Sequence, residues 1–200
     1  MILHPPIKIL FVADQEDSSL QALLSYLGSI HHVELTLEVQ LPRNLSPYDV
    51  IATANTAAFA KDDEQLIKFV HQGGGWLGLV RLSDMALPQI YGAPPEPVGP
   101  EAELRVLFEN SNHPLAIRLA DAIYLQGCYQ TLKKTSEETE TILYADWQYQ
   151  HSPVLVHRTA GDGQVACTTL QAYNHPAFQQ ILYRLLSQLA GRPLSHRTLE

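Results

Sequence analysis

The nine histidines are the side chains in this sequence best suited to acid–base chemistry, because an ordinary imidazole titrates near neutral pH. Their spacing contains no H-x-H, H-x-x-x-H or H-E-x-x-H pattern, so we expect no metal site. His113 and His175 differ from the others because each stands in a short turn between a strand-like and a helix-like segment, directly before a proline. Loops at strand ends are where α/β sheets build sites, which makes these two the candidate catalytic residues.

Polar residues also follow the segments that look like buried strands. Arg81 and Ser83 follow the fourth such segment, and similar polar positions follow the first and the third. Ligands of open α/β sheets bind where parallel strands end, so these side chains predict a ligand site. The alternative is that they only cap helices or pair with carboxylates, and the sequence favours neither. The candidate ligand-binding residues are Asp14, Asn55, Arg81, Ser83, His113, Tyr129 and Gln171.

Other motifs argue against nucleophilic and nucleotide chemistry. The sequence has no G-x-S-x-G elbow and no Walker A motif, and Cys128 and Cys167 lie in strand-like runs where a thiol is usually a small core residue. Gly73 to Gly78 matches G-x-G-x-x-G, but it follows a helix-like segment and opens a strand-like one, the reverse of a dinucleotide site. We therefore expect a tight turn, close packing at Gly78 and no cofactor.

The secondary structure predicted to position these residues differs between the first and second halves of the chain. Strand-like runs at 7–13, 33–39, 48–52 and 76–80 enclose helix-like runs, which predicts a doubly wound, mostly parallel α/β sheet. After a proline-rich segment at 88–100, short strand-like runs follow with short connections, and a helix is predicted over 176–189. These later runs are 103–108, 123–132, 141–145, 153–158 and 164–170. We expect one domain over residues 1–200, with the parallel sheet extended by antiparallel strands.

Composition excludes several classes of protein. Of the 200 residues, 46% are hydrophobic and 17% are charged, which is typical of a folded chain rather than a disordered one. A formal net charge of −8 argues against nucleic-acid binding. No run approaches the ~20 apolar residues that a membrane span needs, and the start of the chain has no basic leader pattern, so the cytoplasm is the expected location.

Three blocks of the sequence carry a family resemblance. The first runs from Tyr48-Asp49-Val50-Ile51 through Asn55 and Asp63-Glu64-Gln65 to Phe69-Val70-x-x-Gly73-Gly74-Gly75-x-Leu77-Gly78. The second is His113-Pro114 with Leu119, and the third is a late hairpin from Pro153-Val154 to Thr168-Thr169-Leu170. Together they resemble the ThuA-like (trehalose-utilisation) branch of the class I glutamine amidotransferase-like superfamily, over most of residues 7–191. The resemblance implies a flavodoxin-like sheet with additional antiparallel strands.

The sequence departs from that family where its chemistry is expected. Val80 stands where the family usually has a histidine, and Gln171 where it has a Gly-His pair. Only Tyr129 remains of an acidic D-E-x-Y-like stretch, and the superfamily's cysteine elbow is missing. The resemblance therefore implies that the ancestral catalytic machinery is altered or lost.

Three functional hypotheses remain open. The favoured one is a non-catalytic domain that binds a small polar, sugar-like ligand or acts as a homodimeric interaction module. The second is a divergent carbohydrate- or amide-directed enzyme with His113 or His175 as acid/base and Arg81 holding the substrate, which predicts His113 within about 8 Å of the Arg81 side chain. The third is a structural partner in a larger complex.

Overall fold

The computed structural model describes residues 5–13, 20–54, 63–82, 84, 86–147 and 150–192. The predictions for Asp14, Asn55 and Ser83 lie outside these residues. The strands are β1 Ile7–Val12, β2 Val33–Glu38, β3 Val50–Thr53, β4 Gly75–Leu79, β5 Glu101–Phe108, β6 Ala122–Cys128, β7 Glu140–Trp147, β8 Gln150–Ala160 and β9 Gly163–Thr168. The helices are α1 Gln21–Gly28, α2 Asp63–His71 and α3 Pro176–Leu189, with single 3₁₀ turns at Gln89–Tyr91 and Pro114–Ala116.

The strands of the described residues form one nine-stranded sheet in the order β2-β1-β3-β4-β9-β8-β7-β5-β6. From β2 to β9 every neighbouring pair is parallel, and from β9 to β6 every pair is antiparallel. We call β1–β4 with β9 the parallel half and β5–β8 the antiparallel wing. The predicted class is confirmed: a flavodoxin-like α/β sheet extended by antiparallel strands.

Apolar runs in the sequence become strands that are buried on both faces. Every residue of β3 and β4 is buried, and α1 and α3 pack on one face of the parallel half while α2 packs on the other. Trp76 is fully buried on the α2 face, where its Nε1 donates a 2.9 Å hydrogen bond to Thr53 Oγ1. The alternating run of β2 lies at the sheet edge, as its pattern predicts.

The glycine block is structural, as predicted. Gly73 has a φ of +101°, a conformation that disfavours any side chain, and its N–H donates to the Val70 carbonyl at the end of α2. A Cβ on Gly78 would lie 2.7 Å from Tyr91 Oη, so only glycine lets the Tyr91 ring pack against β4. The block therefore ends a helix and starts a strand.

Helix α3 has the predicted bounds and fixes the turn that carries His113. Its apolar face is buried, and Arg184 Nη1 donates to the carbonyls of Leu115 (2.8 Å) and Ile117 (2.7 Å). The turn after His113 is thereby held against the helix. In the part of the chain that the structure describes, no helix is long and apolar enough to cross a membrane.

Two expectations for the antiparallel wing are wrong. The strand predicted over 123–132 ends at Cys128, because the chain then leaves β5 and Leu132 N bonds to the Pro153 carbonyl instead. Cys128 is consequently exposed rather than a core residue. Cys167 is in the core as expected, and burial strongly raises the pKa of its thiol. A thiol in that state is a poor nucleophile.

Candidate functional site

The ends of β4 and β9 lie side by side at the carboxyl edge of the parallel half. Val80 N donates a 2.8 Å hydrogen bond to the Thr168 carbonyl, which continues the pairing past the end of β4. The chain then turns at once: Asp84 N donates to the Arg81 carbonyl (2.9 Å), and Asp84 Oδ2 accepts from Arg81 N (3.0 Å). Asp84 is 2% exposed, so this turn is fixed by a buried carboxylate. Arg81 is thereby held at the expected edge, with a partly exposed side chain.

Two glutamine side chains from other elements close on this turn. Gln171, just after β9, donates from Nε2 to the Val80 carbonyl (3.3 Å). Gln130, in the segment that leaves β6, donates from Nε2 to the Asp84 carbonyl (3.0 Å). Gln130 is 1% exposed, and its Oε1 has no hydrogen-bond partner among the described residues. We call Arg81, Asp84, Gln130 and Gln171 the carboxyl-edge cluster.

The chemistry of this cluster suits binding better than proton transfer. It offers guanidinium donors at Arg81 and a buried amide acceptor at Gln130, which complement hydroxyl and other neutral polar groups. Val80, at the position where ThuA-like proteins usually have a histidine, is fully buried in the apolar layer beside α2. No group that titrates near neutral pH therefore stands at the end of β4.

His175 lies at the same edge, in the loop from β9 to α3. It is partly exposed and immediately precedes Pro176, the first residue of the helix. Its Nδ1 is buried and has no hydrogen-bond partner among the described residues. His175 therefore keeps the place that the sequence predicts, at the strand end that also carries Gln171.

His113 belongs to a different polar group. Its Nε2 lies 4.0 Å from Glu140 Oε1, and Glu140 Oε2 lies 3.6 Å from His157 Nδ1. His157 Nε2 lies 2.9 Å from Gln164 Oε1, near the start of β9. We call His113, Glu140, His157 and Gln164 the amino-edge cluster, because Gln164 stands where β9 begins.

The surroundings of His113 fix its protonation. Its Nδ1 accepts a 3.2 Å hydrogen bond from Leu115 N, so the neutral ring carries its proton on Nε2, facing Glu140. Burial lowers the pKa of His113, and the Glu140 carboxylate partly opposes this shift. A protonated Nε2 cannot ligate a metal, and within the described ranges no group of His, Cys, Asp and Glu is arranged to hold one.

The two clusters lie far apart. In the sheet, Glu140 of β7 is opposite His157 of β8, which in turn is opposite Ala166 of β9. Arg81 follows Leu79 of β4 by two residues, and Leu79 is opposite Thr168 of β9. Three strand spacings separate β4 from β7, so the backbones of Arg81 and Glu140 are about 13 Å apart along the strands and about 14 Å apart across them. The structure therefore places His113 and Arg81 in different clusters, and the expected distance of about 8 Å between their side chains stays a prediction.

Tyr129 directly precedes Gln130 in the segment that leaves β6. Its carbonyl accepts from Gly99 N (2.8 Å), and burial raises the pKa of its phenol, with further contributions from the nearby Cys128, Glu101 and Glu103. These neighbours lie at the outer end of the antiparallel wing. Gln130 is not among the predicted site residues. It lies in a run of uncharged residues without a motif, and its place at the site follows only from where β6 ends.

Comparison with known proteins identifies the fold. No protein-family model matches the sequence, and no curated protein matches it. The structure is similar to a ThuA-like protein from Parabacteroides merdae, with a TM-score of 0.73, 14% identity and coverage of 96% of this chain and 93% of that one. A cytoplasmic protein from Salmonella typhimurium is also similar, with a TM-score of 0.69, 15% identity and coverage of 92% and 98%.

A larger enzyme contains the same fold. The β-galactosidase of Bacillus circulans sp. alkalophilus matches with a TM-score of 0.71 and 15% identity, over 94% of this chain but only 32% of the enzyme. At these identities the likeness establishes a shared fold. The resemblance to ThuA-like proteins is confirmed at that level.

Proposed function

We propose that this chain is a non-catalytic domain that binds a small polar, sugar-like ligand at the carboxyl-edge cluster. The observation that carries the proposal is the buried Gln130 amide, whose Nε2 is bonded to the Asp84 carbonyl while Oε1 has no partner among the described residues. A buried acceptor without a donor costs about 1–3 kcal/mol. A ligand hydroxyl donating to Oε1 would remove that cost.

The neighbouring groups support a neutral polar ligand. The cluster contains one cationic side chain, Arg81, and one anionic side chain, Asp84, whose Oδ2 accepts from the Arg81 backbone N–H, so its formal charge is balanced rather than strongly positive. Ligands of open α/β sheets enter at this edge of the strands. The Bacillus circulans β-galactosidase, an enzyme named for its action on a sugar, contains this fold, which supports a sugar-like ligand here. The cytoplasmic protein of Salmonella likewise supports a cytoplasmic location.

The absence of catalysis is proposed from what fills the relevant positions. Val80 is a buried apolar residue at the end of β4, and Gln171 bonds to the Val80 carbonyl where the family has a Gly-His pair. His113 faces Glu140, in the amino-edge cluster. The ligand is thus expected to bind and leave unchanged.

A thermal-shift titration tests this proposal. With methyl β-D-galactopyranoside as probe, we expect a saturable rise in Tm, and no product when the incubated sugar is analysed afterwards. Gln130→Met should weaken the apparent affinity at least about tenfold, the effect of losing one well-placed hydrogen bond. Gln126→Met, an exposed glutamine of β6, is the matched control and should leave the affinity unchanged.

Gln171→Ala provides a second variant in case Gln130→Met lowers Tm too far to titrate. Equal affinities for Gln130→Met, Gln171→Ala and Gln126→Met would overturn the assignment of the site. Turnover of the probe that disappears when Gln171 is replaced would overturn the non-catalytic part of the proposal.

A divergent carbohydrate- or amide-directed enzyme is the second candidate. The Nδ1 of His175, buried and without a partner among the described residues at the same edge, is the observation that favours it. It predicts slow hydrolysis of p-nitrophenyl glycosides or of glutamine that His175→Ala abolishes and His113→Ala does not. Equal rates for the wild type and His175→Ala would reject it.

A homodimeric interaction module is the third candidate. Strand β6 lies at the sheet edge, contains no charged residue and carries Tyr124, which is 60% exposed. Uncharged edge strands tend to pair with another chain. Light scattering on wild type and Tyr124→Lys tests the idea: it predicts a dimer that the lysine variant loses, and a wild-type monomer would reject it.

A further inference from the structure

A recess lies on the α2 face, at the opposite edge of the sheet from the carboxyl-edge cluster. It is an open cavity of about 530 Å³ where β8 ends, and this volume is within the range of small-molecule sites. The residues that line it are His71, Ile90, Glu138, Arg158, Thr159, Ala160 and Gly161. Thr168, at the carboxyl edge of β9, donates from Oγ1 to the Val154 carbonyl in β8. Arg158 is four residues along β8 from Val154, so the recess and the carboxyl-edge cluster are about 13 Å or more apart.

The charged groups of this recess form a pre-arranged pair. Arg158 Nη2 donates to Glu138 Oε2, and Arg158 Nη1 lies 3.4 Å from the Ile90 carbonyl. A guanidinium has five N–H donors, and Arg158 Nε has no partner among the described residues. The Glu138 side chain is 72% exposed, so its carboxylate keeps free acceptor capacity toward solvent.

The walls that present this pair are tied together. Thr139 Oγ1 donates to the Tyr91 carbonyl (3.1 Å), which fixes the segment carrying Glu138 against the 3₁₀ turn of Ile90. On the other side, Asp162 N lies 3.4 Å from the His71 carbonyl, so the β8–β9 hairpin turn contacts the end of α2. A site held in place before binding loses less entropy when a ligand arrives.

We propose that this recess binds a neutral polyhydroxylated ligand across the Arg158–Glu138 pair. One ligand hydroxyl accepts from the guanidinium while its neighbour donates to the carboxylate, and the side chains of Ile90 and Ala160 face the C–H groups. The paired charges cancel, and the chain is acidic overall, so a small anion gains little here. This site is independent of the proposed function, because it shares no residue with the carboxyl-edge cluster.

An NMR titration of the ¹⁵N-labelled protein with myo-inositol tests the proposal. We expect saturable shifts at the amides of Glu138, Thr159 and Gly161, and none from inorganic phosphate at equal concentration. Glu138→Gln should weaken the affinity about tenfold, since it removes a hydrogen bond to a charged acceptor. Glu137→Gln, at the exposed neighbouring residue, is the matched control and should change the affinity less than twofold.

Arg158→Lys supplies a second variant, because it keeps the charge but loses the planar fork, and it should also weaken binding. If Arg158→Lys no longer gives the dispersed NMR spectrum of a folded protein, the affinity of Glu138→Gln alone tests the proposal. Absence of saturable shifts, equal affinities for Glu138→Gln and Glu137→Gln, or a response to phosphate alone would overturn the proposal. Shifts confined to the amides of Gln130 and Gln171 would overturn it while supporting the proposed function.

Discussion

The carboxyl-edge cluster and the amino-edge cluster are both polar groups in an apolar sheet, but they are built differently. Around Glu140, two histidines face one carboxylate, and each ring also has a second partner, Leu115 N or Gln164. Around Asp84, the amide side chains of Gln130 and Gln171 each donate a hydrogen bond to a backbone carbonyl, and Gln130 Oε1 has no partner among the described residues. The first group is satisfied internally, whereas the second has capacity for a ligand.

This difference teaches that residue type alone is a poor guide to a site. Histidines are the most reactive side chains of this sequence near neutral pH, yet His113 serves to hold a turn in place. Gln130 carries no titratable group, yet its buried Oε1 is an acceptor without a partner among the described residues. Four predictions test the contrast, in order of decreasing effect.

Replacing His113 should have the largest effect on stability. His113→Ala leaves the Leu115 N–H without its acceptor and opens a cavity beside α3, so we expect the free energy of unfolding to fall by about 2–4 kcal/mol. His113→Asn keeps an acceptor at the start of the 3₁₀ turn and should lose less than half of that. Urea denaturation measures both, and equal losses would show that the acceptor role is not what matters.

Replacing Gln130 should have a smaller effect on stability but a larger one on binding. Gln130→Met keeps the volume but removes the Nε2 donor to the Asp84 carbonyl, which we expect to cost about 1–3 kcal/mol in urea denaturation. His113→Asn should leave the affinity for methyl β-D-galactopyranoside unchanged. If His113→Asn weakens binding as much as Gln130→Met, the two clusters do not have the separate roles described here.

The two clusters should also respond differently to pH. Because burial lowers the pKa of His113, the unfolded chain takes up a proton there at higher pH than the folded chain does. This contribution to stability is fully present above about pH 6.5 and is lost progressively as the pH falls below that value. Urea midpoints between pH 7.5 and 5 should fall for the wild type and fall less for His113→Asn. Equal decreases in the urea midpoint of the wild type and His113→Asn would contradict the assignment of this pH dependence to His113.

An exposed ion pair of the antiparallel wing should have the smallest effect. Arg105 and Asp146 are 3.6 Å apart with side chains 48% and 35% exposed, so Arg105→Ala should change the free energy of unfolding by less than about 1 kcal/mol. Added salt should reduce even that difference. A loss as large as that of His113→Ala would mean that burial does not separate important from unimportant polar pairs in this sheet.

The strands and helices were largely predictable because their signals are local. Continuous apolar runs gave β1, β3 and β4, and the periodicity after His175 gave α3 with its observed bounds. The end of β6 was not predictable, because uncharged, strand-like residues continue past Cys128 to Leu132 while the backbone pairing changes from β5 to β8. Pairing of this kind depends on contacts distant in sequence.

The candidate site was predictable only in part, for the same reason. The edge itself follows from the order of strands and helices, and Arg81 and Gln171 lie there. His113 does not, because its partner Glu140 is in β7 and β8 lies between β7 and the parallel half, which sequence spacing does not show. Gln130 lies at this edge because of the course that the chain takes after β6, which the sequence does not show.

Mapping the probe by NMR tests the central claim most directly. Methyl β-D-galactopyranoside is titrated into the ¹⁵N-labelled protein, and the amides of the carboxyl-edge cluster are compared with those of the amino-edge cluster. We predict saturable shifts at Arg81, Gln130 and Gln171, with His113, Glu140 and His157 unchanged. Saturable shifts centred on His113 and Glu140, or no saturable shift at either cluster, would contradict the account.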